Sequence, residues 1–136
     1  LARLVREQKI QLKPLSKSVT FHDPCQVTRR GGATTEAREV LAALGMELRE
    51  MESAGTLNWC CGGGGGVVAM HRPDPLRYKT YQIKMAQVEK SEAEIFATSC
   101  SNCRLTLDDG QKHFKWDKTV HSLLDMVAEQ LVTNDD

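Results

Sequence analysis

Asn58-Trp59-Cys60-Cys61-Gly62-Gly63-Gly64-Gly65-Gly66 is the stretch around which the rest of the chain is read. Adjacent cysteines ahead of a run without side chains make poor core and poor regular secondary structure. They suit a place where two thiolates face one site and the backbone passes close to something bulky. Glycine permits φ > 0 there and has no Cβ to hold a ligand off. Cys25 lies upstream, and Cys100 and Cys103 lie downstream. The chain therefore has three cysteine-bearing segments to bring together.

Outward from that stretch, strand and helix signals alternate. Lys17–Phe21 carries β-branched residues and predicts a strand, stopped by His22-Asp23-Pro24 just before Cys25. Met46–Met51 alternates with period two and predicts a second strand; Ala93–Ala97 predicts a third and Lys118–His121 a short fourth. Ala37, Val40, Leu41 and Leu44 have helical spacing, with Thr34 or Thr35 placed to cap and Gly45 at the C′ position. Asp74-Pro75 is a helix start, with the Asp oxygen as cap and proline at the first turn. Tyr78, Tyr81, Met85 and Val88 follow on one face of that longest helix and read as core. Ser101–His113 predicts a helix with Cys103 in its first turn, and Val120, Leu123, Leu124, Val127 and Leu131 mark a closing one. Leu1–Lys13 reads as the tail of a helix, Gln26–Gly32 as a basic loop, and Val67–Met70 as a short helix.

This alternation predicts an α/β fold, a mostly parallel sheet of three to four strands flanked by helices. Right-handed crossovers put the C-terminal ends of parallel strands on one edge, where such sheets bind ligands. Cys25 follows the first predicted strand, Cys60-Cys61 the second, and Cys100 with Cys103 the third. Three separate segments thus deliver thiols to one edge.

Composition narrows the function classes. The 136 residues make one domain long enough for a core, and 18 basic residues balance 18 acidic ones. No bulk field draws the chain to nucleic acid or to anionic lipid. There is no run of 18 apolar residues to span a membrane, and no signal or transit pattern. Five cysteines is an odd number, which favours a metal cluster over a disulfide framework and a reducing, cytoplasmic setting. Gly62-x-Gly64 is followed by Val67 where a dinucleotide fingerprint wants glycine or alanine, and no phosphate-loop Gly-Lys-Ser/Thr is present.

Zinc takes four ligands in a closed tetrahedron, and adjacent Cys60 and Cys61 sit awkwardly on one small ion. An iron–sulfur cluster shares several irons among its thiolates and needs room beside the backbone. The glycine run offers that room, and its N–H groups can donate to sulfides. Cys100-Ser-Asn-Cys103 alone would also serve a zinc ribbon or a dithiol redox site, but a thioredoxin-like role leaves Cys25, Cys60 and Cys61 without purpose.

Cys25, 34 residues, Cys60-Cys61, 38 residues and Cys100-x-x-Cys103 together resemble the cysteine-rich CCG domain of heterodisulfide reductase catalytic subunits and related iron–sulfur oxidoreductases. His22-Asp23-Pro24-Cys25 and Asn58 to Gly66 resemble that family's two sequence blocks, and the likeness runs from about Val19 to Leu131. The long glycine run is most similar to subunits associated with sulfite reductase and with membrane-type heterodisulfide reductase. The resemblance implies a noncubane [4Fe–4S] cluster held by Cys25, Cys60, Cys61, Cys100 and Cys103, with Gly62, Gly63 and Gly64 against it, on which a disulfide or heterodisulfide is reduced. It implies partners that carry further iron–sulfur centres or a membrane cytochrome, and so a cytoplasmic chain peripheral to the membrane. Family proteins usually carry two CCG units, often with a ferredoxin-like segment, and one is present here. Residues 1–16 are then a helical tail from a longer parent, 17–132 the CCG domain and 133–136 a frayed end. The alternative is a non-catalytic docking domain that holds zinc or a relay cluster. Protein prepared in air is expected to have an empty or degraded site.

Of the remaining residues, His22 is read as a strand-end histidine holding the turn before Pro24, with hydrogen bonding to the cluster as the sharper role. Arg29 and Arg30 are read as solvated loop charges and Trp59 as core packing or a shield over the cluster. His71, His113 and His121 have no metal spacing.

Overall fold

The computed structural model describes residues 1–133. Thr133 is exposed, and the rest of the end expected to fray lies outside the described residues. Strands β1 (Ser18–His22), β2 (Glu47–Leu48), β3 (Ile95–Thr98) and β4 (Val120–Ser122) form one all-parallel sheet in the order β2-β1-β3-β4. Helix α1 (Ala2–Arg6) precedes β1, and α2 (Glu36–Ala43) joins β1 to β2. Helix α3 (Asp74–Ser91) joins β2 to β3, α4 (Ser101–Phe114) joins β3 to β4, and α5 (Leu123–Glu129) closes the chain. The α/β fold with a parallel sheet is the one expected.

Strand order decides where a site can form. The chain steps outward from β1 to β2, then crosses back to β3 on the other side of β1. The topological switch point therefore lies between β1 and β3, whose ends are level because His22 pairs with Thr98.

Alternation along the strands sorts their side chains between two cores. Val19, Phe21 and Ala97 pack against Val40 and Leu41 of α2, its C-cap Leu44, and Leu123, Met126 and Val127 of α5. Phe96 and Val120 pack on the opposite face with Tyr81 and Val88 of α3, Leu107 of α4 and Trp116. Cys61 and Cys103 belong to this second core. All five residues of β1 are buried, as expected for a central parallel strand covered on both faces. Gly110 lets α4 close on α3, since a Cβ there would stand 2.4 Å from the Tyr81 ring.

The predicted elements survive with shifted ends. Gly45 ends α2 with φ 63°: its N–H bonds to Ala42 O (2.9 Å) and the Met46 N–H to Leu41 O (3.1 Å), a Schellman closure. Thr35 sits at the N-cap of α2 but makes no side-chain cap bond. Asp74 is the first residue of α3 rather than its cap, and its carboxylate takes the Arg77 guanidinium at 2.5 Å instead. The second strand shrinks from Met46–Met51 to two paired residues, because it lies at the sheet edge and Met51 leaves to enter the second core. The first helix ends at Arg6 rather than Lys13. Leu12 is drawn into an antiparallel bridge with Leu131, which also ends the closing helix before that residue. The expected basic loop is a π-helical turn, Gln26–Arg30, and the short helix after the glycines is a kinked 3₁₀ stretch, Gly64–Ala69.

Candidate metal centre

Each side of the site starts from the end of a strand. At the end of β1, His22 and the following Asp23 are both 1% exposed. Pro24 O accepts the N–H groups of Val27 (3.0 Å) and Thr28 (2.8 Å), turning the chain sharply after the strand. Cys25 caps the π-helical turn and is half-buried. Asp23 is the anchor: Arg38 donates to both its oxygens at 2.9 Å, and the Gly55 N–H donates at 2.6 Å. Burial pushes the Asp23 carboxyl up, but the Arg38 and Gly55 bonds outweigh it and hold the group below its ordinary value.

The loop beyond β2 is tied to that anchor. Asn58 is buried and donates from Nδ2 to Asp23 O at 2.5 Å. Arg29, expected as a solvated charge, donates from Nε to Thr56 O at 2.6 Å and from Nη2 to Asn58 O, bracing the two turns together. Trp59 stays 42% exposed, so it is not core; Trp116 takes that place in the second core. Cys60 is half-buried and Cys61 is buried. Gly62, at φ +88°, donates its N–H to Cys60 Sγ at 3.3 Å.

The glycines dock on α4. Gly63 O accepts from Asn102 Nδ2 at 3.2 Å, and a Cβ on Gly63 would stand 2.0 Å from Thr106 Oγ1. Gly64, Gly65 and Gly66 have nothing within 4 Å of where a Cβ would be. Beyond β3, Cys100 is the half-buried N-cap of α4, and Cys103 lies buried in the first turn.

These elements converge. Cys61 Sγ and Cys103 Sγ are 3.4 Å apart, and a ring nitrogen of His22 completes a group whose ligand atoms lie within 4.8 Å of one another. Cys60 is the neighbour of Cys61 on the same loop, and its Sγ accepts the Gly62 N–H. Cys25 and Cys100 stand on the loops after β1 and β3, outside this central trio. Neither of the two main cavities is this centre. The larger, about 320 Å³, lies where α1 and α2 meet β1, lined by Ala2, Phe21 and Val40 among others. The smaller, about 230 Å³, reaches Cys100 alone of the cysteines, beside Arg104 and Asp125.

The electrostatics fit a thiophilic cation. The Cys60 thiol is pushed up first by the adjacent Cys61 thiol and then by burial. The Cys61 thiol is pushed up to about 11, chiefly by its bond to Cys103. Thiols this close cannot all ionise without a positive charge among them, and a metal group supplies one by displacing their protons. His22 is pushed down to about 3, first by burial and then by the charge of Lys84, so its imidazole is neutral and able to coordinate. Its Nδ1 is buried without a hydrogen-bond partner among the described residues.

Two residues of the centre escape a reading by residue type. Lys84 is 0% exposed, and its ammonium donates to Asn58 Oδ1 at 3.1 Å. The signal was its position: it lies three residues after Tyr81 and four before Val88, on the apolar face of α3. Asn58 carries no such signal, since its role comes from tertiary bonds alone.

Residues 19–108 match the model of the cysteine-rich domain family, CCG. The chain belongs to that family. It is similar to a subunit of the dihydromethanophenazine:CoB–CoM heterodisulfide reductase of Methanosarcina barkeri, with 35% identity over 133 residues, 96% of this chain and 32% of the relative. It is similar to a probable membrane-anchored ferredoxin of Chromohalobacter salexigens, 36% identical over 78% of this chain and 16% of the relative. A probable iron–sulfur-binding oxidoreductase of Bacillus subtilis, FadF, is 30% identical over 99% of this chain and 19% of its own length. The CCG chain thus spans about a third of the reductase subunit and less of the other two. These relatives are named as a reductase subunit, a ferredoxin and an iron–sulfur-binding oxidoreductase. No helix among the described residues is long and apolar enough to cross a membrane.

Proposed function

We propose that Cys25, Cys60, Cys61, Cys100 and Cys103 hold a noncubane [4Fe–4S] cluster in a heterodisulfide-reductase-like oxidoreductase. The observation that carries this reading is convergence: loops after three strands bring cysteines to the switch-point edge of the sheet, where Cys61 and Cys103 already touch. Gly64–Gly66 keep their stretch of the loop free of side chains, and Gly62 shows that this loop can donate an N–H to sulfur. A relative named as a heterodisulfide reductase subunit supports the substrate class.

Held by Cys25, Cys60, Cys61, Cys100 and Cys103, such a cluster would supply electrons one at a time. The overall reaction adds two electrons and two protons to a disulfide, breaks its S–S bond and leaves two thiols. This chain's part is to fix five thiolates in one place, screen Cys61 and Cys103 from water and donate backbone N–H groups to sulfur. We assign the electron supply to a partner's redox centre, as the family resemblance implies. We place the domain in a larger complex, cytoplasmic and peripheral to the membrane through its partner subunits. Residues 1–16 and 17–132 are taken as parent tail and CCG domain in this scheme.

A second reading is favoured by one observation. His22, Cys61 and Cys103 are a compact set of zinc-type donors, which suits a structural zinc in a docking domain. Anaerobic reconstitution separates the two. Near four irons and four sulfides per chain, with an EPR signal from the oxidised form, supports the cluster. About one zinc and no sulfide sinks it.

A further inference from the structure

The functional reading leaves one buried charge unused. Lys84 lies fully buried on α3, and its ammonium meets only neutral acceptors, Asn58 Oδ1 at 3.1 Å and Met51 Sδ at 3.7 Å. No carboxylate among the described residues is in contact with it. Asp23, whose field it feels, is already held by two bonds from Arg38 and one from Gly55. An ammonium removed from water without a counter-charge is costly, and such residues are either neutral or matched by a nearby anion. The other groups coupled to the charge of Lys84 are Cys61, Cys60 and Cys103, together with His22, whose protonation it opposes.

Asn58 fixes the direction of that charge. Its Nδ2 is committed to Asp23 O at 2.5 Å, which leaves Oδ1 to point at Lys84. The amide therefore links the end of β1, the loop bearing Cys60-Cys61 and the underside of α3. Thiolates crowded as in this centre carry a net negative charge when ionised, and each electron added to a group they hold makes it more negative. A nearby fixed cation stabilises both the ionised thiolates and the reduced state.

We propose that Lys84 is a positioning residue for the metal group, a buried positive charge aimed by Asn58. It offsets the charge of the Cys60, Cys61 and Cys103 thiolates, favours their metal-bound form and raises the reduction potential of the bound cluster. This rests on the reading that these cysteines bind a metal group.

The test compares the wild-type chain with Lys84→Met, which keeps length and volume, and Lys84→Arg, which keeps the charge. The first readout is cadmium ion binding to the reduced, metal-free protein, followed by thiolate–cadmium absorption. The second is the midpoint potential of the reconstituted cluster, from EPR-monitored redox titration. Lys84→Met is expected to bind cadmium at least about tenfold more weakly, the scale seen when an outer-shell partner is lost, and to shift the potential to more negative values. Lys84→Arg is expected to stay near the wild type in both. Unchanged affinity and potential in Lys84→Met overturn the proposal, as do equal losses in both variants, which would mean packing rather than charge. Unfolding of metal-free Lys84→Met, seen by circular dichroism, would assign Lys84 to the fold and overturn it too. Failure of the wild type to bind cadmium would instead sink the metal reading itself.

Discussion

Cys61 Sγ stands 3.4 Å from Cys103 Sγ, across 42 residues of chain. A loop and a helix start are thereby brought into sulfur contact. Mild oxidation of the metal-free protein by dioxygen, which takes up the two electrons and two protons released, is expected to form a Cys61–Cys103 disulfide first. Peptide mapping without reduction would check this, and a dominant Cys100–Cys103 bridge would contradict it.

Arg38 is the sole side-chain cation bonded to buried Asp23 among the described residues, through two bonds at 2.9 Å. Removing it leaves a carboxylate 1% exposed with only the Gly55 N–H. Arg38→Met is expected to destabilise the metal-free fold by about 2–4 kcal/mol. Urea unfolding measures it, and a change within error of zero would mean that Asp23 relaxes to water.

The glycines divide into two kinds. Gly63→Ala and Gly110→Ala put a Cβ at 2.0 Å from Thr106 Oγ1 and 2.4 Å from the Tyr81 ring. Each is expected to cost about 1–3 kcal/mol through overpacking. Gly66→Ala meets no atom within 4 Å and has only its φ of +81° against it, for a cost of about 1 kcal/mol. Denaturation midpoints would rank them, and equal effects would refute the distinction.

Acid sensitivity follows from His22. Its ordinary value is 6.5, and burial holds it at about 3 in the fold. Between those values the unfolded chain takes up a proton that the folded chain refuses, so stability falls as pH drops through this window and is unaffected above it. The limiting slope is on the order of 1.4 kcal/mol per pH unit. Unfolding of the metal-free protein from pH 7 to pH 4 should lose this slope in His22→Gln, and an unchanged slope would assign the acid sensitivity to other groups.

Much of this was legible beforehand because it depends on local pattern. The β-branched run stopped by His22-Asp23-Pro24 marked β1, and Gly45 marked the end of α2. Cysteines after successive strands placed the edge on which a site would form. What stayed hidden depends on distant partners. Nothing in residues 46–51 tells that Met51 must leave the sheet for the second core, or that Leu12 will pair with Leu131. Arg29 looks like any loop cation until the carbonyls of Thr56 and Asn58 lie under it. Lys84 and Arg77 are buried cations of α3 that a helical wheel would have placed on its apolar face.

The strand order has a consequence for biogenesis. Cys103 enters the chain only after β3, and β3 must insert beside β1 before Cys103 can meet Cys61. A ribosome-bound chain that has emerged only as far as Gly66 therefore carries three of the five cysteines and none of the wall that closes on them. Metal delivered then would find a flexible chelator rather than a site. On the proposed reading, the five cysteines share one site only after β3 has paired with β1 and α4 has followed it.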